Sequence, residues 1–487
     1  MWKASFEGIN LGERQLVHAA AWEFQPGECV ALVGESGSGK SLTALAFIDL
    51  LPDGIEAEWR QKLEAKTAMI FQEPMSALNP SMRIGRQIAE AAESRLGMSK
   101  REAKTRALEW LEHVQIPEPE VSYRKYPHQM SGGQRQRVMM ALAMIMEPEL
   151  LIADEPTTAL DELVAHDILS LIRELQKSQN MAMLFISHDL GAVAQVADRV
   201  VVMREGHVVE SGTVQQVLES PSHPYTQGLI ASRPPADRKP LRLPTVDDFL
   251  AGKPISTAER PPTHPGEIIL EVNNLGKSFK GVNVVDKFNL TIREGETLGL
   301  VGASGSGKST IARCLVNLLP PDEGEIYYRG ERIDQLSGTS RKRLAREIQY
   351  IFQDPFSSLS PRMTVGDALR EPLIVHSMFS TRAEQDAEVI RLLEAVGFEA
   401  NVMDRYPHEF SGGQRQRIGI ARALTLKPKL LICDESVAAL DVSIQAQVLN
   451  LLNDLKDQHQ FSYLFISHDE RVVNYMSNRI VELVTSK

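Results

Sequence analysis

GESGSGKS at Gly34–Ser41 and GASGSGKS at Gly302–Ser309 are one eight-residue pattern written twice in a chain of 487 residues. Both fit G-x-x-x-x-G-K-[ST], and both follow a hydrophobic run, ECVALVG or ETLGLVG, that reads as a strand. Glycines at this spacing let backbone N–H groups turn inward around phosphate oxygens, and the helix that follows points its positive end at the same place. The expected phosphate cradles are Gly34, Ser36, Gly37, Ser38, Gly39, Lys40 and Ser41 in the first copy. In the second they are Gly302, Ser304, Gly305, Ser306, Gly307, Lys308, Ser309 and Thr310. Lys40 and Lys308 are expected to reach the β- and γ-phosphates, and Ser41 and Ser309 to ligate Mg2+.

Working outward, further motifs recur in the same order. Gly34 precedes Gly302 by 268 residues, and Gln72 precedes Gln353 by 281. Ser131 and Ser411, Asp154 and Asp434, Asp161 and Asp441, and His188 and His468 are all separated by 280. The first copy is thus 13 residues shorter between its phosphate loop and Gln72, where the second has GEIYYRGERIDQL, which reads as strand–turn–strand. Short apolar runs (LLIAD, LLICD, MLFIS, YLFIS) alternate with helical patterns such as ELVAHDILSLIRELQ. This predicts an α/β fold, a mostly parallel sheet flanked by helices, present twice. The stretch Arg233–Pro265, with RPPADRKP and ERPPTHP, reads as an extended proline-rich spacer. The expected domains are therefore 1–232 and 266–487, joined by the linker 233–265. The first copy continues past its histidine through VVMREGHVVESGT and SHPYTQGLI, whereas the second closes at VELVTSK.

Phosphate chemistry needs a carboxylate for the metal and a base for water. Asp154 and Asp434 end apolar strands and are expected to support Mg2+, while the adjacent Glu155 and Glu435 are expected to act as general base. His188 and His468 lie in the identical string LFISHD. A lone histidine after a strand is ordinarily structural, but its repetition points to a γ-phosphate contact. Gln72 and Gln353, in IFQEP and IFQDP, are expected to touch the metal and to move with a neighbouring domain. SGGQRQR supplies Ser131, Gly132, Gly133 and Gln134, and again Ser411, Gly412, Gly413 and Gln414. A serine and two glycines before a helix make a second anion site. It is most simply used by closing on nucleotide bound to the other copy.

The composition is that of a globular protein, 43% apolar and 24% charged, and the net charge of -11 argues against binding nucleic acid by bulk attraction. Cys29, Cys314 and Cys433 are far apart and read as buried thiols, with no zinc or iron–sulfur spacing. No apolar run nears the ~18 residues that span a bilayer, and MWKASFEGIN carries no secretory pattern, so a cytoplasmic chain with peripheral membrane contact is expected.

Walker A, Q-loop, SGGQ signature, Walker B, D-loop (Ala159-Leu160-Asp161 and Ala439-Leu440-Asp441) and switch histidine, in that order, resemble the ATPase domains of ABC transporters. MIFQEPMSALNP, YIFQDPFSSLSPRMTVGD, YPHQMSGGQRQR, YPHEFSGGQRQR and SHPYTQGL resemble the peptide/nickel importer group. The resemblance implies two ATP molecules, with Mg2+, sandwiched head to tail, Gly34–Ser41 facing Ser411–Gln414 and Gly302–Ser309 facing Ser131–Gln134. Each domain would add a small antiparallel β-subdomain and a helical subdomain to its sheet. It implies an ATP-hydrolysing import motor at the cytoplasmic face of the inner membrane. Its partners would be two integral membrane permease subunits and, indirectly, a substrate-binding protein, with no nucleic acid. Phe279 fits the family's adenine-stacking aromatic, for which the first copy offers only Phe6. The alternative, a soluble twin ATPase acting on ribosomes, typically has a long charged helical linker, which this chain lacks.

Overall fold

The computed structural model describes residues 1–487 except 73–76, 159, 161, 263, 304, 354–358, 439 and 484–487. Asp161 and Ser304, and the D-loop alanines Ala159 and Ala439, therefore lie outside the described residues. The chain divides into two compact units, Met1–Ile230 with Phe249–Gly252, and Ala231–Asp248 with Lys253–Lys487.

In the first unit, five short strands that are apolar on both faces form a parallel sheet. Its order is Thr67–Ile70, Leu150–Asp154, Ala182–Ile186, Cys29–Val33, Arg199–Arg204, closed by antiparallel His207–Thr213. Strands buried on both faces carry continuous apolar runs, which is why LLIAD and AMLFI do not alternate. The second unit repeats the order with Ile348–Ile351, Leu430–Asp434, Ser462–Ile466, Thr297–Val301 and Arg479–Glu482, all parallel. Because the strands run the same way, their C-terminal ends line one edge, the usual place for a ligand in such sheets.

A smaller antiparallel sheet packs beside each. In the first unit it is Arg14–Phe24, Trp2–Leu11 and Ile55–Gln61. In the second, Val282–Arg293 and Ile268–Phe279 are joined by Glu323–Tyr328 and by Glu331–Arg332, the strand–turn–strand of GEIYYRGERIDQL. A helical subdomain completes each unit: Ile84–Leu96, Lys100–His113 and Gly132–Met144, and correspondingly Val365–Val375, Arg382–Ala395 and Gly412–Leu424. Among the described residues no helix is long and apolar enough to cross a membrane. The three cysteines are buried and free, and burial raises their thiols, to about 11 for Cys314 and about 12 for Cys433.

The proline-rich stretch read as a spacer is anchored by side chains to the second unit. Leu243 is fully buried in the second core. Its N–H donates to Asn450 Oδ1 and its carbonyl accepts from Asn450 Nδ2, both at 2.8 Å, so one side chain satisfies both backbone groups as a neighbouring strand would. Lys239 Nζ donates to the Ser477 carbonyl at 2.5 Å, and Arg242 pairs with Asp454 at 2.8 Å. Proline stiffens the stretch, but a leucine and an asparagine decide where it lies. Asn450→Ala leaves two buried backbone groups unpaired and is expected to destabilise the second unit by roughly 2–4 kcal/mol. Urea unfolding, with limited proteolysis within 239–260 as the local readout, checks this.

Candidate active sites

The sheet order brings the sequence motifs together. Four adjacent parallel strands deliver, in turn, Gln72, the Asp154–Glu155 pair, His188 and the phosphate loop to one edge, and the second unit does the same with Gln353, Asp434–Glu435, His468 and Gly302–Ser309.

The loops are built as their glycines require. Gly39 and Gly307, at φ 101° and 103°, precede the helices Lys40–Phe47 and Lys308–Leu315. Gly34 and Gly302, at φ 153° and 156°, pass so close to the backbone of Met203 and Leu483 that a Cβ would collide. Lys40 and Lys308 are only 6% and 5% exposed. Lys40 Nζ donates to the carbonyls of Gly34 and Glu35, each at 2.8 Å, and Lys308 Nζ to those of Gly302 and Ala303 at 2.7 and 2.9 Å. Ser38 Oγ and Ser306 Oγ are buried with no hydrogen-bond partner among the described residues.

Glu155 and Glu435 adopt left-handed backbone, φ 46° and 47°, unusual for a residue with a Cβ and the kind of conformation that clusters at functional sites. Each is pinned by its N–H, which donates to the carbonyl of Ile186 or Ile466 at 2.9 Å. Glu155 Oε2 accepts from Gln72 Nε2 at 2.9 Å and from Thr158 Oγ1 at 3.0 Å, and Oε1 lies 3.1 Å from His188 Nδ1. Glu435 Oε2 accepts from Gln353 Nε2 at 2.5 Å, with His468 Nδ1 3.8 Å from Oε1. Burial alone would raise the Glu155 carboxyl, but the His188 hydrogen bond and charge, with Thr158 and Lys40, outweigh it and leave it below the ordinary range. Glu435 is lowered chiefly by the neighbouring His468 imidazole, and His468 is raised chiefly by the same carboxylate. Both glutamates are thus anionic at neutral pH, as a base must be. The glutamines, expected at the metal, turn their amide N–H groups to these carboxylates.

Asp154 and Asp434 are buried, and burial raises both. The Ser41 hydroxyl beside Asp154 works against that rise, while Asp154 Oδ1 has no hydrogen-bond partner among the described residues; Ser309 Oγ donates to Asp434 Oδ1 at 3.1 Å. An orphaned carboxylate oxygen beside a serine hydroxyl and a phosphate cradle is an all-oxygen donor set that fits Mg2+.

The signature serines cap their helices. Ser131 Oγ accepts from Gln134 N–H at 3.3 Å while Gln134 Oε1 accepts from Ser131 N–H at 3.1 Å, and Ser411 and Gln414 do the same. The glycines divide the work. A Cβ on Gly412 would meet nothing, leaving its surface open, and one on Gly132 would touch only Leu160 Cδ2, at 3.5 Å. A Cβ on Gly133 would lie 2.6 Å from Val164 Cγ1, and one on Gly413 would collide with Ile444.

Several features lie outside the repeated motifs. Phe279, 45% exposed, ends its hairpin strand opposite Val282, with Lys277 Nζ 5.8 Å from its ring. The equivalent place in the first unit, opposite Arg14, is held by Leu11. Phe6 is 1% exposed and packs edge-on against Trp59, so it belongs to the core and not to a nucleotide. Thr158, which holds Glu155, is replaced by Ala438, and Tyr350, whose hydroxyl donates to Asp434 Oδ2, stands where the first copy has Met69. The Gln72–Gln353 alignment of the copies was the signal for Tyr350, and the Asp154–Asp434 alignment that for Thr158.

Residues 17–158 and 285–438 match the ABC transporter family, and residues 209–258 match the C-terminal region of oligopeptide/dipeptide transporters. The chain belongs to the ABC transporter family: it is an ATP-binding, ATP-hydrolysing subunit of an import system. The glutathione import ATP-binding protein GsiA of Escherichia coli O157:H7 is 46% identical over 504 residues, covering 95% of this chain and 81% of that protein. GsiA of Shigella flexneri is likewise 46% identical over 504 residues, with the same coverage. The archaeal ribosome recycling factor aABCE1, solved with ribosomal stalk protein aP1, superposes with a TM-score of 0.63 over 95% of this chain and 84% of its own, at 20% identity, a likeness of fold alone.

Asp154→Asn and Asp434→Asn together are expected to raise the Mg2+ concentration needed for half-maximal ATP hydrolysis by about 10–100-fold. A magnesium titration at fixed ATP reads this directly, and an unchanged midpoint removes these carboxylates from the metal site.

Proposed function

We propose that the two copies, as domains 1–232 and 266–487 joined through 233–265, act as a head-to-tail pair clasping two ATP molecules. They would power uptake of glutathione or similarly small peptides through two membrane permease subunits served by a substrate-binding protein. The chain would lie peripherally at the cytoplasmic face of the inner membrane. The observation that carries the paired reading is that each copy holds a nearly buried lysine and an anionic glutamate at one sheet edge, while its open signature glycine sits on a different subdomain. A signature loop uses its anion-binding helix end only if phosphate arrives from elsewhere. The peptide class is supported by the oligopeptide/dipeptide region and by the kinship to GsiA.

In this reading ATP exchanges the Lys40 and Lys308 contacts with loop carbonyls for contacts with β- and γ-phosphate oxygens. Bound with the nucleotide by Ser41 and Asp154, and by Ser309 and Asp434, Mg2+ would supply charge neutralisation. Glu155 and Glu435 each release one donor and accept a proton from the attacking water, while His188 and His468 stay within reach of the γ-phosphate. Gln72 and Gln353, which hold the bases, lie at the edge where a moving partner can pull them away. Near Gln353 the second unit exposes Leu318 and Phe352, 53% and 37% accessible, at a cleft of about 280 Å3, and the first exposes Leu50 at the place of Leu318. Apolar side chains left in water beside the moving glutamine suit a permease helix.

Glu155→Gln with Glu435→Gln is expected to bind ATP and slow hydrolysis by about 10²–10⁴-fold. Turnover equal to the parent's overturns the base. For the substrate, chain reconstituted with its permeases in liposomes is assayed with the binding protein loaded with glutathione, other short peptides or a nickel chelate. ATPase stimulation by glutathione or peptides is expected, and stimulation by the nickel chelate alone overturns the peptide class.

A further inference from the structure

Tyr225 lies in SHPYTQGL, outside the six repeated motifs. It is fully buried, and its hydroxyl oxygen accepts from the Glu35 N–H at 3.0 Å, across 190 residues of sequence. Glu35 is the second residue of the first phosphate loop. The peptide unit joining Gly34 to Glu35 is therefore gripped at both ends. Its N–H donates to Tyr225, and its carbonyl accepts from Lys40 Nζ at 2.8 Å, while the next carbonyl, that of Glu35, takes the same ammonium at 2.8 Å. Donation from an N–H polarises its amide and makes the carbonyl a better acceptor, so the two contacts reinforce one another.

The tyrosine is itself fixed from several sides. Its N–H donates to His223 Nδ1 at 3.1 Å. Glu210 accepts from the Ser222 N–H and hydroxyl, both at 2.7 Å, and from the His223 N–H at 3.2 Å, which seats the turn leading into the helix Pro224–Ala231. The Arg204 guanidinium stands 5.4 Å from the ring, one residue after Met203, whose carbonyl is packed on Gly34.

We propose that Tyr225 is a positioning residue of the first ATP site. It fixes the Gly34–Glu35 peptide so that the carbonyls holding Lys40 face inward and the ammonium waits at the phosphate cradle. The inference rests on the reading of Lys40 as a phosphate ligand. It gives the 209–230 segment a task at the nucleotide, beyond membership of a transporter class.

Tyr225→Phe keeps the ring and its packing and removes the hydroxyl that accepts from the Glu35 N–H. In the full chain, hydrogen exchange of the 34–41 loop is expected to accelerate about fivefold or more, the equivalent of one ordinary hydrogen bond. Exchange in 302–309 and in the strands Cys29–Val33 and Leu150–Asp154 should stay at the parental rate. In a Lys308→Ala background, which leaves the first site to report, the dissociation constant for a fluorescent ATP analogue should rise about three- to tenfold. Maximal turnover of the otherwise unaltered chain should fall much less than its KM for ATP rises.

Parental loop exchange with parental affinity overturns the proposal. So does acceleration spread across the whole first unit, which marks Tyr225 as core packing. In the unaltered chain the Glu35 amide itself should exchange slowly, and exchange at the rate of an open loop sinks the proposal with no variant at all. Lys40→Ala in the Lys308→Ala background tests the premise separately: if analogue binding survives there, the reading of Lys40 fails whatever Tyr225 does.

Discussion

An ammonium group almost removed from water, resting on two backbone carbonyls, is the constraint around which each unit is arranged. A buried charge is costly unless its surroundings are built to receive it. Lys40 and Lys308 are received by the first two carbonyls of their own loops, which requires those peptides to turn inward, which in turn requires glycine at φ 153° and 156° and again at 101° and 103°. The loop can make those turns because a largely buried strand ends just before it and a helix begins at the lysine itself. A triphosphate brought to this place meets a cation whose desolvation has already been met by folding. That is preorganisation, and it is worth most where water is excluded.

The second constraint is the left-handed glutamate at the end of the neighbouring strand. Its strain is over-determined by a backbone bond to the next strand and by side-chain donors on its carboxylate. The copies solve this with different residues. The first adds the Thr158 hydroxyl and brings His188 to 3.1 Å; the second has Ala438, and its histidine stands at 3.8 Å. The aspartates proposed for the metal differ too, since Tyr350 occupies one oxygen of Asp434 while Asp154 keeps an oxygen without a partner among the described residues. Identical motifs therefore sit in unequal surroundings, and the inequality lies in residues that flank the chemistry, Tyr350 on the neighbouring strand and Thr158 three residues beyond Glu155.

The segments outside the duplicated motifs are tied to the units by single side chains of high leverage. Asn450 takes both backbone groups of Leu243, and Tyr225 takes the Glu35 amide. In each case one polar group buried against a partner far away in sequence fixes a length of chain that composition describes only as proline-rich or as a trailing helix.

The order of the motifs by itself determined the duplicated α/β fold, the phosphate loops, the acidic pairs and the kinship to ATPases of membrane transport. These depend on local chemistry: a glycine pattern dictates backbone turns, and continuous apolar runs dictate strands buried on both faces. What only the tertiary structure decided is where side chains distant in sequence end up. Phe6 is lost to the core and Leu11 stands in the place of Phe279, because strand register and not spacing along the chain sets which face a residue occupies. The hydroxyls of Thr158, Tyr350 and Tyr225 gained their roles in the same way. A hydroxyl advertises nothing in sequence until a carboxylate or an amide is folded to within 3 Å of it.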